Sequence, residues 1–267
     1  MTSPTALLEI AHEALDIGRR RLLEQDPQQV SAKSERDLVS DLDFAVEREL
    51  RRYLEARTPG VNFLGEEDGW AHAPGSTYWT LDPIDGTSNF VRHIPLCGIS
   101  LALVQDGCTT LGLIDLPFLG ARYSAALGQG AFKDGQAIRA SATNALSEAI
   151  VGIGDYAVGK DSEQRNAPRL AVTRELAASV QRVRMFGSAA VDLAWVAEGR
   201  TDASIILSNK TWDTAAGVLI AREAGARVMD LNGAEHSLQS SATITVAAPL
   251  AEALLGLLSR ACGSVGG

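Results

Sequence analysis

The residues best placed to do chemistry lie in Tyr78–Phe90, YWTLDPIDGTSNF. Tyr78–Leu81 is apolar enough to end a strand, and Pro83 biases Asp82 toward extended backbone, so Asp82 is expected at the strand's C-terminal edge. Asp85-Gly86 supplies a tight turn, and Thr87, Ser88 and Asn89 all suit the start of a helix. That start would leave the Gly86 and Thr87 amides open to an anion. The turn brings the carboxylates of Asp82 and Asp85 together, and at about 4 Å two such charges repel by roughly 4 kcal/mol at an effective dielectric of 20. Such a pair shares a proton or binds a cation. Oxygen-only donors beside amides that suit a phosphate point to Mg²⁺, which uses a few carboxylates together with phosphate oxygens. Asp-Pro and Asp-Gly are also strong turn formers in their own right, so this stretch alone fits a metal site or a plain turn.

Other acids fall at comparable positions. Gly65-Glu66-Glu67-Asp68-Gly69 follows the short apolar run Val61–Leu64. Taken alone it reads as a solvated loop. Set beside Tyr78–Phe90, two strands that each end in acids would pool ligands at one edge of a sheet. Trp212-Asp213 again places an acid between a loop and a helix start. It reads as an N-cap, or as a ligand whose helix approaches closely through the small residues Ala215, Ala216 and Gly217. Asp41 and Asp43 lie in the first turn of a helix capped by Ser40, where acids favour the helix dipole. Lys33 lies in the polar stretch 26–37, which is expected to be a surface loop.

The elements that must position these residues follow from periodicity. Apolar residues at three-to-four spacing mark helices from Ser3 to Gln25 and from Ser40 to Arg57, the second with Glu47 on its polar side. After Phe90, Ile99–Gln105, Leu111–Asp115, Arg122–Ala126 and Ala131–Lys133 read as a meander of strands separated by Gly-containing turns. From about Ala145 strands and helices alternate: strand Ala149–Gly154, helix Gln164–Ser179, strand Val183–Phe186, helix Ser188–Ala197, strand Asp202–Leu207, helix Thr214–Ala224, strands Arg227–Asp230 and Thr243–Ala247, and a terminal helix. The fold class is α/β (α+β). At 267 residues and 46% hydrophobic the chain supports a sizeable core.

A net charge of −9 and a pI near 5.0 argue against nucleic-acid or membrane-surface binding. Cys97, Cys108 and Cys262 follow no metal-binding spacing and suit a reduced compartment. No secretory signal and no apolar run of transmembrane length is visible, so a cytoplasmic location is expected.

Taken jointly, GEED at 65–68, LDPIDGTSNF at 81–90 and WDTAAG at 212–217 resemble the signature motifs of the inositol monophosphatase family of Mg²⁺-dependent, lithium-sensitive phosphatases. Order and spacing match from about Lys33 to the terminal strand. The resemblance implies a layered αβαβα sandwich forming a single unit over 1–267, its half 1–145 carrying most metal ligands and its half 146–267 carrying substrate-side residues and Asp213. It implies Glu66, Asp82, the Ile84 carbonyl, Asp85 and Asp213 as ligands of two or three Mg²⁺ ions, with Mn²⁺ as a substitute and Li⁺ and Ca²⁺ as inhibitors. Asp43, Thr87 and Glu66 become the catalytic group, Asp43 and the Thr87 hydroxyl orienting the attacking water. Gly86 and Thr87 become phosphate-binding amides, Lys33 and Glu67 neighbours that shape the site, and Gly187, Ser188, Ala189, Ile206 and Asp213 the substrate side. Arg184, with Arg182, is either an anion contact or a simple surface charge.

In animal members an acid seven positions before the WD aspartate contacts substrate hydroxyls. Here that position is Ile206, which weakens the implied preference for inositol phosphates. A homodimer acting on a small-molecule phosphate ester is implied, without nucleic-acid or membrane partners. Substrates handled in the family include fructose 1,6-bisphosphate, histidinol phosphate and 3′-phosphoadenosine 5′-phosphate. A catalytically silent metal- or phosphate-binding regulator is the alternative of another class, and the presence of every expected metal acid argues against it.

Overall fold

Helix starts obey local chemistry. In the computed structural model, which describes residues 3–34 and 37–263, α1 (Pro4–Glu24) is capped by the Ser3 hydroxyl, which accepts the Ala6 N–H at 3.3 Å, with Pro4 in the first helical position. The polar stretch that follows is not the loop that its composition predicts. It contains β1 (Val30–Ser34) and β2 (Asp37–Ser40), paired antiparallel with Val30 opposite Ser40 and Ala32 opposite Leu38. Ladder hydrogen bonds use only the backbone, so a polar composition does not prevent a hairpin. Residues 35 and 36 lie outside the described residues.

The chain continues through α2 (Asp41–Arg57), β3 (Asn62–Gly65), β4 (Thr77–Asp85), α3 (Thr87–Val91), β5 (Gly98–Gln105), β6 (Cys108–Leu116), β7 (Ala121–Ala126), β8 (Ala131–Lys133) and β9 (Gln136–Ala137). The second half follows as β10 (Ile150–Ile153), α4 (Ser162–Ser179), β11 (Arg182–Arg184), α5 (Ala189–Ala197), β12 (Ala203–Ile206), α6 (Thr211–Glu223), β13 (Ala226–Met229), β14 (Thr243–Ala247) and α7 (Ala251–Gly263). Strands β3 to β9 form a seven-stranded sheet in sequence order, and β11-β10-β12-β14-β13 form a five-stranded sheet.

The layers follow from which face each strand buries. On β5, Ile99, Leu101 and Leu103 pack with Leu15, Val46 and Leu50 of α1 and α2, whereas Ala102 faces the other way, toward α5 and α6. The far face of the five-stranded sheet is covered by α4 and α7, through Val172, Leu176, Leu254 and Leu257. The order is therefore helix pair, sheet, helix pair, sheet, helix pair: the αβαβα sandwich expected above. Among the described residues no helix is long and apolar enough to cross a membrane.

Close packing of α6 is what brings a distant acid to the sheet. A Cβ added at Gly112 on β6 would meet the Ala216 carbonyl oxygen at 2.6 Å and its Cα at 3.0 Å. The stripe Ala215, Ala216 and Gly217 lets α6 fit between β6 and α5. Gly112→Ala must push a helix backbone away, and the expected loss is about 1–3 kcal/mol, read as a lowered urea midpoint. An unchanged midpoint would mean that α6 has slack against the sheet.

Candidate active site

Strands β3 and β4 run parallel, so their C-terminal ends reach the same sheet edge. The Glu66 N–H donates to the Leu81 carbonyl at 3.1 Å, which sets Glu66 beside Asp82. Opposite Asp82 in the ladder is Ser100, whose hydroxyl donates to the Trp212 carbonyl at 2.9 Å and pins the start of α6 to β5. As a result Glu66, Asp82 and Asp213 each place a carboxylate oxygen within 4.8 Å of the others. Two sequence expectations change in detail. The strand does not stop at Asp82, because pairing resumes at Asp85 opposite Gly98 after an irregularity at Pro83-Ile84, where proline has no N–H to give. Asp213 is not an N-cap but the third residue of α6, with Lys210 in the cap position.

Burial pushes the Asp82 carboxyl well above the usual carboxylate range, and the charges of Glu66, Asp85 and Asp213 push it further. Asp213 is raised likewise, by burial and then by Asp85 and Glu66, against the opposing pull of Lys210 and Lys33. Burial lifts Asp85 to about 6, while hydrogen bonds from Ser188 and Ala190 hold it down. The donors are carboxylate oxygens without histidine or thiolate, the set that suits a hard divalent cation such as Mg²⁺. These residues fit such an ion on chemistry as well as spacing, since a cation offsets the burial and the mutual repulsion that raise the Asp82 and Asp213 carboxyls.

Asp85 itself has a second attachment. Its Oδ2 accepts the Ser188 hydroxyl at 2.6 Å and the Ala190 N–H, at the start of α5. Asp82 Oδ1 accepts the Ile84 N–H at 3.0 Å, turning the backbone so that the Ile84 side chain goes into the core. Gly86, at φ 90°, then opens α3. A Cβ there would lie 3.0 Å from the Leu96 carbonyl and 3.1 Å from that of Gly187, so the residue is glycine for both conformation and space.

Fully buried Asp43 closes the opposite side. Its Oδ2 accepts the Ser40 N–H at 2.8 Å and the Ser40 hydroxyl at 2.6 Å. The Thr87 Oγ1 lies 3.1 Å from Asp43 Oδ1 and 3.1 Å from the Ile84 carbonyl oxygen, so one proton serves two acceptors. Burial raises the Asp43 pKa despite these hydrogen bonds. Lys33, on β1, donates to Glu66 at 2.9 Å and to Glu67 at 2.6 Å, and burial lifts Glu67 to about 7 against the pull of Lys33.

The sequence reading missed Glu47. It is not on a polar face but fully buried, and it accepts the Glu67 and Asp68 N–H groups at 2.9 and 2.8 Å. A Cβ on Gly65 would sit 2.3 Å from that carboxyl. The signal was the glycine before a run of acids whose amides need an acceptor. Asn89 also does more than open a helix: its side-chain amide donates to the Leu96 and Phe186 carbonyls, both at 2.7 Å, tying α3 to the loop that carries Gly187.

Asp85 and Asp213 open into a cavity of about 460 Å³ whose walls include Gly187, Ser188, Ala189, Asp192 and Ile206. Burial, then the charge of Asp85, pushes the Asp192 carboxyl up to about 8. Arg184 does not line this cavity; it is exposed on edge strand β11, as is Arg182, and each donates to the carbonyl of the residue before it. The arginines that do line it are Arg165 and Arg169 of α4. No local motif marked them, because α4 is brought over the site only by the second sheet.

The model of the inositol monophosphatase family matches residues 4–262. The inositol-1-monophosphatase ImpA of Mycolicibacterium smegmatis is 33% identical over 255 residues, covering 95% of this chain and 92% of that protein. A fructose-1,6-bisphosphatase/inositol-1-monophosphatase of Thermotoga maritima is 35% identical over 202 residues, covering 75% of this chain and 74% of its own. Among solved structures, the extragenic suppressor protein suhB from Bartonella henselae superimposes with a TM-score of 0.89 at 31% identity, covering 96% of this chain and 99% of that one.

The raised carboxyls carry a consequence for stability. Without a divalent ion the folded chain keeps protons that the unfolded chain, with aspartate near 3.8, has already lost. The folded state thus binds more protons, and stability falls as pH rises from about 4 through about 6, the Asp85 value, and beyond for Asp82 and Asp213. In EDTA the melting temperature is expected to drop between pH 5 and pH 8, and Mg²⁺ is expected to raise it most at pH 8. A metal-free melting temperature that climbs steadily over that range would contradict the electrostatic picture.

Proposed function

The chain belongs to the inositol monophosphatase family and is a phosphatase of small phosphorylated substrates, and from that premise we propose that it hydrolyses polyol or sugar phosphate monoesters by direct attack of water. The family is Mg²⁺-dependent. The observation that carries the reading is the convergence of Glu66, Asp82 and Asp213 within 4.8 Å beside the Asp43–Thr87 hydroxyl pair.

In this proposal Glu66, Asp82, Asp85, Asp213 and the Ile84 carbonyl hold two or three Mg²⁺ ions. When bound, these ions supply positive charge against the phosphate oxygens and lower the pKa of water. The remaining steps belong to the chain itself. The Gly86 and Thr87 amides, at the open end of a helix, receive phosphate oxygens. The Thr87 hydroxyl donates toward Asp43, keeps lone pairs for the attacking water, and so fixes the direction of that water's proton. Asp43, its basicity raised by burial, takes the proton through Thr87. Lys33 steadies Glu66 and Glu67 without itself losing charge, because its ion pairs raise its own pKa.

We extend the proposal to Mn²⁺ as a substitute, Li⁺ and Ca²⁺ as inhibitors, and the chain acting as one unit. A cytoplasmic location is supported by three free cysteines among the described residues. A homodimer is supported by the exposed apolar side chains Leu23, Ile94, Phe118 and Leu119.

Phosphate release from a panel of monoesters should require Mg²⁺ and vanish in EDTA; no release from any ester would sink the hydrolase reading. Thr87→Ala should lower kcat about 10²-fold with little change in KM, and Thr87→Ser should restore most of it. Equal kcat in all three proteins would remove the Asp43–Thr87 relay.

A further inference from the structure

The cavity over Asp85 and Asp213 is electrically uneven. Its α4 wall carries Arg165 and Arg169, four positions apart on one helix face. Arg169 is buried, with 7% of its surface exposed. Its Nη1 donates to the Arg165 carbonyl and its Nη2 to the Leu207 carbonyl, both at 2.7 Å. Those acceptors are neutral, and they use two of the five donors a guanidinium has. Neither arginine forms an ion pair among the described residues, and Asp155, exposed on the cavity rim, pairs with neither. Burial and the neighbouring charge of Arg165 both work against the Arg169 cation, and no acid offsets them.

A buried cation without a counter-charge is costly, and proteins keep one where a ligand supplies the charge. Arg165 is held in place for such a role. Its Nη2 donates to the Val158 carbonyl at 2.5 Å and the Lys160 carbonyl at 3.1 Å, anchoring it to the loop that leads into α4. The wall also includes the uncharged Ile206 and Leu207 beside the acids Asp155 and Asp192. A volume of about 460 Å³ lies within the usual range for small-molecule sites.

We propose that Arg169 and Arg165 are specificity-determining residues that receive a second anionic group, phosphate or carboxylate, of a substrate whose scissile phosphate lies at the acidic end of the same cavity. This rests on the hydrolase reading above. The arrangement selects phosphate esters with anions at both ends over those ending in a hydroxyl.

Two matched pairs test it, measured as kcat/KM with Mg²⁺: fructose 1,6-bisphosphate against fructose 1-phosphate, and 3-phosphoglycerate against glycerol 3-phosphate. The wild-type chain is expected to prefer the doubly anionic member of at least one pair by about 10-fold or more, and the pair that responds identifies phosphate or carboxylate. Arg169→Gln and Arg165→Ala are each expected to reduce that preference about 10- to 100-fold. Arg165 is exposed, so its variant keeps the test open if the buried Arg169→Gln folds poorly. Equal efficiency on both members of both pairs, or a preference that survives both substitutions, overturns the proposal while leaving the hydrolase reading intact. Release from none of the four esters overturns the hydrolase reading and the proposal with it.

Discussion

Carboxylates held where they repel one another are the constraint on which this structure depends. With carboxylate oxygens all within 4.8 Å of one another, each pair of charged groups among Glu66, Asp82 and Asp213 would repel by roughly 3–4 kcal/mol or more at an effective dielectric of 20. Left to itself such a group would spread apart or stay protonated. It is held by attachments made outside the group: the Leu81 carbonyl fixes Glu66, the Ile84 amide fixes Asp82, and the Ser100 hydroxyl fixes the backbone next to Asp213. Asp85 is anchored separately by Ser188 and Ala190 at the start of α5. The repulsion becomes affinity for a cation because the scaffold resists relaxation.

That resistance is distributed through packing. The small residues of α6 let its backbone reach β6, and Gly217 meets Leu193 of α5, so the helix bearing Asp213 is wedged from two sides. Buried Glu47 organises the loop bearing Glu66 and Glu67 through two backbone amides, which is why a helix far from Asp213 still matters to the same cluster. Core packing and site geometry are therefore one problem. A shift in α6 or in the Glu47 loop changes ligand distances as well as stability.

The cavity beside the acids has its own electrostatic logic. Acids gather where β4 ends and α6 begins, and arginines approach from α4, with apolar Ile206 and Leu207 among the residues of the wall. A cavity of this kind orients an elongated anion before any bond is broken. Positioning of that sort lowers the entropic part of the barrier rather than the electronic part. The reaction is thus set at one end of the cavity and the choice of molecule at the other.

Much of the reactive end was legible in the chain. Asp82, Asp85, Gly86 and Thr87 lie in one short stretch, and Glu66 and Asp213 stand at element boundaries that local rules detect; helices α1 and α2 and the strands of the meander were visible in apolar period. Local rules did not reveal that the paired strands Val30–Ser34 and Asp37–Ser40 arise in and beside the polar stretch, that Glu47 is buried, or that Arg165 and Arg169 rather than Arg184 reach the cavity. The physical reason is range. A turn, a cap or a strand end is decided by a few neighbouring residues, so its chemistry can be read from them. Burial of Glu47 and the approach of α4 are decided by amides and sheets many residues away, which only the folded chain brings together. Sequence by itself marked the acids that, in the proposed reaction, hold the cation and orient the attacking water; tertiary structure decided which arginines face them across the cavity.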